Sequence, residues 1–168
     1  EAMSLIGKIG ETGTCRPTMT VLEKEAFQLA ASWMEDAGMK TRIDHFGNLI
    51  GRLEGQDPAL PVLMIGSHLD SQPYGGRFDG VAGVLCAIEA VKAFTEQGLV
   101  SQRSIEVVSF ADEEGWRFTK GLFGSRGILG KLEPGELQRT DKDGITREQA
   151  LIDFGCDPAK FKESEYKP

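Results

Sequence analysis

One stretch constrains the fold more than any other: residues 62–79, VLMIGSHLDSQPYGGRFD. Val62, Leu63, Met64 and Ile65 form a short apolar run between Pro61 and Gly66. That pattern suits a strand covered on both faces of an α/β sheet. The character then changes at once, to Ser67, His68, Leu69 and Asp70, with a Gly-rich loop over Tyr74 to Gly76 leading to Asp79. Ligands in open α/β sheets bind outside the carboxyl ends of strands, so a histidine and two acids stand where chemistry is normally done.

A second strand ends the same way. Ser104 to Ala111 is apolar and runs into 112-DEEG-115. Between the two strands, Gly80 to Gln97 carries Val81, Val84, Leu85, Ile88, Val91 and Phe94 at helical spacing, with Gly98 to end it. Thr20 predicts the N-cap of a helix over Val21–Ala37, ended by Gly38. Thr41–Phe46 and Asn48–Leu53 read as a hairpin around Gly47. Gly124–Leu132 reads as a short helix, and Thr146 with Gln149 as the cap of a helix reaching Phe154. Residues 3–19, with Gly7, Gly10, Gly13 and Pro17, read as loop. The β-α-β order predicts a three-layer α/β/α sandwich with a mixed, largely parallel sheet.

Composition narrows the function classes. With 168 residues, 40% apolar and 27% charged, the chain is long enough for one core. A net charge of −7 argues against a nucleic-acid surface. No apolar run approaches the roughly 20 residues that span a bilayer, and no basic-then-apolar signal opens the chain. Cys15, Cys86 and Cys156 are isolated and odd in number, which points away from a disulfide framework and toward a reducing, cytoplasmic setting. Because the chain opens on Glu1, part of the natural N-terminus is expected to be missing.

Each candidate residue has a bland reading taken alone. An Asp before Gly is usually a turn or cap, and a Glu-Glu pair is usually a solvated face. Their shared position at two strand ends changes the weighing. His68, Asp79 and Glu114 supply one imidazole and two carboxylates, a donor set for zinc, manganese or cobalt. Asp70 is placed to fix the ring of His68. Glu113 is placed to take a proton from activated water.

The blocks 66-GSHLDS-71, 75-GGRFDGVAG-83 and 110-FADEEGWRF-118 resemble the di-metal superfamily of aminoacylases, carboxypeptidases and dipeptidases. Within it, 10-GETGT-14, 47-GNLIGRLEG-55, the EEG-x-RF form of the acidic block, GSRGILG at 124–130 and 143-DGITREQALIDFG-155 are similar to the hydantoinase/carbamoylase branch. That branch includes N-carbamoyl-L-amino-acid hydrolases and allantoate amidohydrolases. The resemblance implies two divalent metal ions (Mn2+ or Zn2+, with Co2+ or Ni2+ open), with His68 on one, Asp79 bridging and Glu114 on the other. It implies Glu113 as general base, Asp70 orienting His68, and hydrolysis of a ureido C–N bond of a small molecule. It also implies a cis peptide after Asp79.

The branch's further metal-binding histidines, one in a motif like H-I-E-Q-G, have no counterpart here, since His45 and His68 are the only two. The lid domain through which the family dimerises is absent as well. The chain therefore reads as the N-terminal part of a catalytic domain, expected to be inactive by itself, from a parent expected to be a homodimer. Two readings compete with ureido hydrolysis: peptide or N-acyl-amino-acid cleavage within the superfamily, and an inert α/β module.

Overall fold

In the computed structural model, which describes residues 1–166, the chain runs α1 (Ala2–Leu5), β1 (Lys8–Ile9), β2 (Gly13–Arg16), α2 (Val21–Asp36), β3 (Lys40–Ile43), β4 (Leu49–Leu53), β5 (Leu63–Ser67), β6 (Ser71–Gly76), α3 (Val81–Glu96), β7 (Ile105–Ser109), α4 (Phe123–Ile128), α5 (Arg147–Phe154) and α6 (Phe161–Ser164). A 3-10 turn over Pro158–Lys160 precedes α6.

Local signals account for the helices. The Thr20 hydroxyl accepts the N–H of Glu23 and opens α2, and Thr146 does the same for α5 through Gln149. Gly155, at φ 105, closes α5 in the left-handed region. The Asp44 carboxylate accepts the N–H groups of Phe46 and Asn48, which shapes the turn between β3 and β4.

β3, β4, β7 and β5 lie side by side in that order. The hairpin pairs β3 with β4 antiparallel, and β4 pairs with β7 antiparallel. β5 and β7, joined through α3, are parallel, with Ser67 opposite Ser109. The α/β class and the mixed sheet stand. The parallel share is smaller than expected, one pairing in three, because only the α3 crossover is long enough to return a strand in the same direction. Both long helices pack on one face. Met34 of α2 sits against Gly51, which lies opposite Val107, and Gly83 of α3 sits against Ser67, opposite Ser109 two residues on. Val107, Val84, Ala30 and Met34, each at 0% exposure, form the centre of that core.

Three expectations fail. Every residue of β7 is buried, whereas β5 is the edge strand of the described sheet, with Leu63 and Ile65 exposed. The doubly covered strand is the second apolar run, not the first. Residues 3–19 are not all loop: β1 and β2 form, and β2 pairs antiparallel with β6 in a second sheet of order β1-β2-β6. The expected Gly-rich loop over Tyr74–Gly76 is therefore the end of a strand. No helix among the described residues is long and apolar enough to cross a membrane.

Candidate metal centre

Because β5 and β7 are adjacent and parallel, the residues after Ser67 and after Ser109 emerge together. His68 follows the first strand and is 7% exposed. Its Nδ1 lies 3.0 Å from the main-chain oxygen of Asp70 and 3.4 Å from the Asp70 carboxylate. A carbonyl can only accept, so Nδ1 carries the hydrogen and donates. Nε2 faces the other way, 3.3 Å from Glu113 Oε2 and 3.8 Å from Asp79 Oδ1. Burial works to lower the ring's pKa, but the hydrogen bond to Asp70 and the negative charges of Asp70 and Glu113 outweigh it and push His68 up to about 9.

Asp70 is the hinge of the arrangement. Its carboxylate accepts the N–H of Glu113 at 3.3 Å and of Glu114 at 3.2 Å. It thus holds the β7 loop against the β5 loop while its carbonyl aims His68. Sequence reasoning put Asp70 beside His68; the tie to the Glu-Glu pair is additional.

The acidic block divides three ways. Asp112, at φ 50, turns inward and accepts from Arg147 at 2.7 Å, so it supports the loop from beneath. Burial drives Asp112 up to about 7 against the opposing pull of Arg147. Glu113 lies against His68, its Oε2 3.3 Å from Nε2. Glu114 is partly buried, its carboxyl raised by burial and by Asp79, and its Oε1 is buried with no partner among the described residues. An orphaned buried carboxylate oxygen is costly unless something binds it.

Asp79 approaches the same nitrogen from the start of α3, and its side chain is more than half exposed. Gly80 follows at φ 65, where a Cβ would lie 2.5 Å from both the ring and the carbonyl of His68. Only glycine fits there. The expected cis peptide after Asp79 is not found, since there are none among the described residues. The positive φ of Gly80 makes the sharp bend instead.

His68, Asp79 and Glu113 are thus brought together, with Glu114 anchored beside them through Asp70. Among the described residues no group of three or more His, Cys, Asp or Glu side chains is arranged to hold a metal ion. The donor chemistry still fits a hard or borderline divalent cation. One imidazole nitrogen is aimed by its partner nitrogen, two carboxylates stand near, and Glu114 Oε1 has nothing to bind.

Sequence reasoning missed the supports. Asn48 accepts the N–H of Ala111 at 2.8 Å and donates to Asp44, which fixes where the acidic loop begins. Arg117 donates to the carbonyls of Thr18 and Met19, and Arg16 to that of Leu69. Apart from Asp44 and Asn48, these partners lie far apart in sequence, 53 residues in the last case, so no local pattern marks them.

A family model described as Peptidase family M28 matches residues 48–150. An N-carbamoyl-L-amino-acid amidohydrolase of Pseudomonas sp. (strain NS671) is 51% identical over 160 residues, which cover 94% of this chain and 39% of that protein. An allantoate deiminase of Arabidopsis thaliana is 36% identical over 156 residues, 90% of this chain and 30% of that protein. Among solved structures, a hydantoinase/carbamoylase family amidase from Burkholderia ambifaria superposes with a TM-score of 0.87 at 41% identity, covering 92% of this chain and 38% of that one. The chain spans about two fifths of the length of the amidohydrolase it matches.

Proposed function

Because the chain belongs to peptidase family M28, we propose that it supplies part of the catalytic centre of a metal-dependent amidohydrolase acting on N-carbamoyl-L-amino acids. The 51% likeness to the Pseudomonas enzyme carries the substrate class. The convergence of His68, Asp79 and Glu113 beyond β5 and β7 carries the chemistry. The reaction consumes one water and releases the amino acid, ammonia and carbon dioxide.

His68, Asp79 and Glu114 would hold two divalent cations, manganese or zinc in this reading, with cobalt and nickel compatible. Such cations, when bound, polarise the ureido carbonyl and acidify water. The chain's own residues do the rest. Asp70 holds His68 by its carbonyl, so Nε2 is presented as a ligand atom. Glu113 Oε2, on the same side of the ring, accepts the proton of the attacking water and returns it to the leaving nitrogen. Asp70 keeps Glu113 and Glu114 in register by accepting both of their N–H groups.

A second reading, allantoate as substrate, is favoured by the likeness to the Arabidopsis deiminase. It uses the same centre on the same ureido group. The partner in either case is a small molecule; the net charge of −7 disfavours nucleic acid. The three free cysteines fit a reducing, cytoplasmic setting. A homodimer formed through a lid domain outside this chain belongs to the same reading.

The test is turnover by the full-length protein, loaded with manganese or zinc, read as ammonia released from N-carbamoyl-L-amino acids and allantoate and as free amino acid released from dipeptides and N-acetyl amino acids. Turnover of the first substrate supports the proposal, and preference for the second supports the alternative. Turnover confined to peptides or N-acyl compounds overturns both.

A further inference from the structure

Arg16 is a fully buried cation, at 0% exposure, with no ion pair of its own among the described residues. It sits on β2 where that strand meets β6, and its N–H donates to the Ser71 hydroxyl at 2.9 Å. Nε donates to the Leu69 carbonyl at 2.9 Å. Nη1 donates to the Ile6 carbonyl at 2.9 Å and the Met3 carbonyl at 3.4 Å. Nη2 is buried and has no partner among the described residues.

This is an expensive way to hold four segments together. A buried charge costs several kcal/mol, on the order of the whole benefit of its hydrogen bonds, and apolar packing usually does as well. The charge therefore needs another use, and the neighbours supply one. Asp70 and Glu23 are the carboxylates whose fields act on the guanidinium. Glu23 is itself wholly buried, bonded to the Met19 N–H and the Thr18 hydroxyl, with Oε1 unpartnered. The Leu69 carbonyl that Arg16 grips belongs to the peptide leading into Asp70. The residue on the far side of that peptide aims His68 with its carbonyl and the Glu113–Glu114 pair with its carboxylate.

We propose that Arg16 is a positioning residue of the metal centre: it clamps the Leu69–Asp70 peptide, so that the Asp70 carbonyl is held where it orients His68. The clamp is stated independently of any metal; its effect on metal affinity rests on the amidohydrolase reading.

The experiment compares Arg16→Lys, which keeps the charge but loses the fork, and Arg16→Met, which loses both, in the full-length protein. Two readouts are taken: manganese affinity by calorimetry, and the hydrogen-bonded Nδ1–H resonance of His68 in the metal-free protein, identified by its loss in His68→Gln. Loss of a residue that orients a ligand typically weakens metal binding about 10–100-fold. That range is expected for Arg16→Met, with a smaller loss for Arg16→Lys and faster solvent exchange of the His68 Nδ1–H in both. Cooperative melting in Arg16→Lys with affinity and resonance both unchanged overturns the proposal. So does failure of Arg16→Lys to melt cooperatively, which makes Arg16 a fold determinant instead. A wild-type protein that binds no manganese while its His68 resonance responds to Arg16→Lys keeps the clamp and removes the metal reading.

Discussion

The Nδ1 of His68 donates to the main-chain oxygen of Asp70 across 3.0 Å, two residues along the same loop. The neutral ring thus keeps its hydrogen on Nδ1 and leaves Nε2 bare toward Asp79 and Glu113. In the metal-free protein the ring holds its proton up to about 9, raised from 6.5. The stability this proton contributes is complete below 6.5 and is lost as pH rises through about 9. A metal must displace the same proton, so apparent manganese affinity should climb by about tenfold per pH unit across that window. Calorimetric titration at several pH values checks it. Affinity independent of pH there would remove His68 from the ligand set.

Glu113→Gln removes the proposed proton acceptor and keeps the shape. In the full-length enzyme it should retain metal and lose about 10²–10⁴-fold in kcat. Metal content and steady-state rates measured on the same sample check this, and a wild-type kcat would rule out Glu113 as the base.

Gly80→Ala places a methyl 2.5 Å from the ring and carbonyl of His68 at a residue with φ 65. The left-handed backbone alone costs about 1–2 kcal/mol for a residue with a side chain, and the clash adds to it. Melting temperature should fall and metal affinity should fall with it. Alanine tolerated without loss of either would mean the bend at Gly80 is not fixed by His68.

Arg147 is wholly buried between Asp112 and Glu136, at 2.7 and 2.5 Å. Removing one partner of a buried pair costs about 3–5 kcal/mol because the other charges are stranded. Arg147→Met should destabilise by that order in denaturant unfolding and loosen the Glu113 loop, since Asp112 anchors its start. A loss no larger than that of an exposed arginine would contradict the network.

Glu136 gives the acid side of the stability profile. Burial opposes its ionisation, but the guanidinium groups of Arg126 and Arg147 win and hold it down to about 2, from 4.5. Its folded pKa is depressed, so its contribution is present above 4.5 and is lost as pH falls toward about 2. Each tenfold change in proton affinity is worth about 1.4 kcal/mol, so the loss approaches about 3 kcal/mol. Urea unfolding from neutral pH down to that range should show the decline, and Glu136→Gln should flatten it.

The features readable from sequence are those written locally. Apolar runs ending in SHLD and DEEG announce β5 and β7, and Thr20 and Thr146 announce α2 and α5. The small sheet was not readable. Arg16 meets Ser71 across 55 residues, and glycines on both partners mask any strand alternation. The division of labour in the acidic block was hidden for the same reason: Asp112 is claimed by Arg147, 35 residues on. That the first apolar run lies at an edge follows from sheet order, which no single run encodes.

β6 joins His68, just before its root, to Asp79, just beyond its tip, and it is braced along its length by β2. The two donors nonetheless meet, His68 Nε2 lying 3.8 Å from Asp79 Oδ1. The bend at Gly80 folds the chain back onto the ring and carbonyl of His68 and so sets their separation. The excursion through β6 is thus a loop pinned at its neck, and a change at that neck reaches both donors at once.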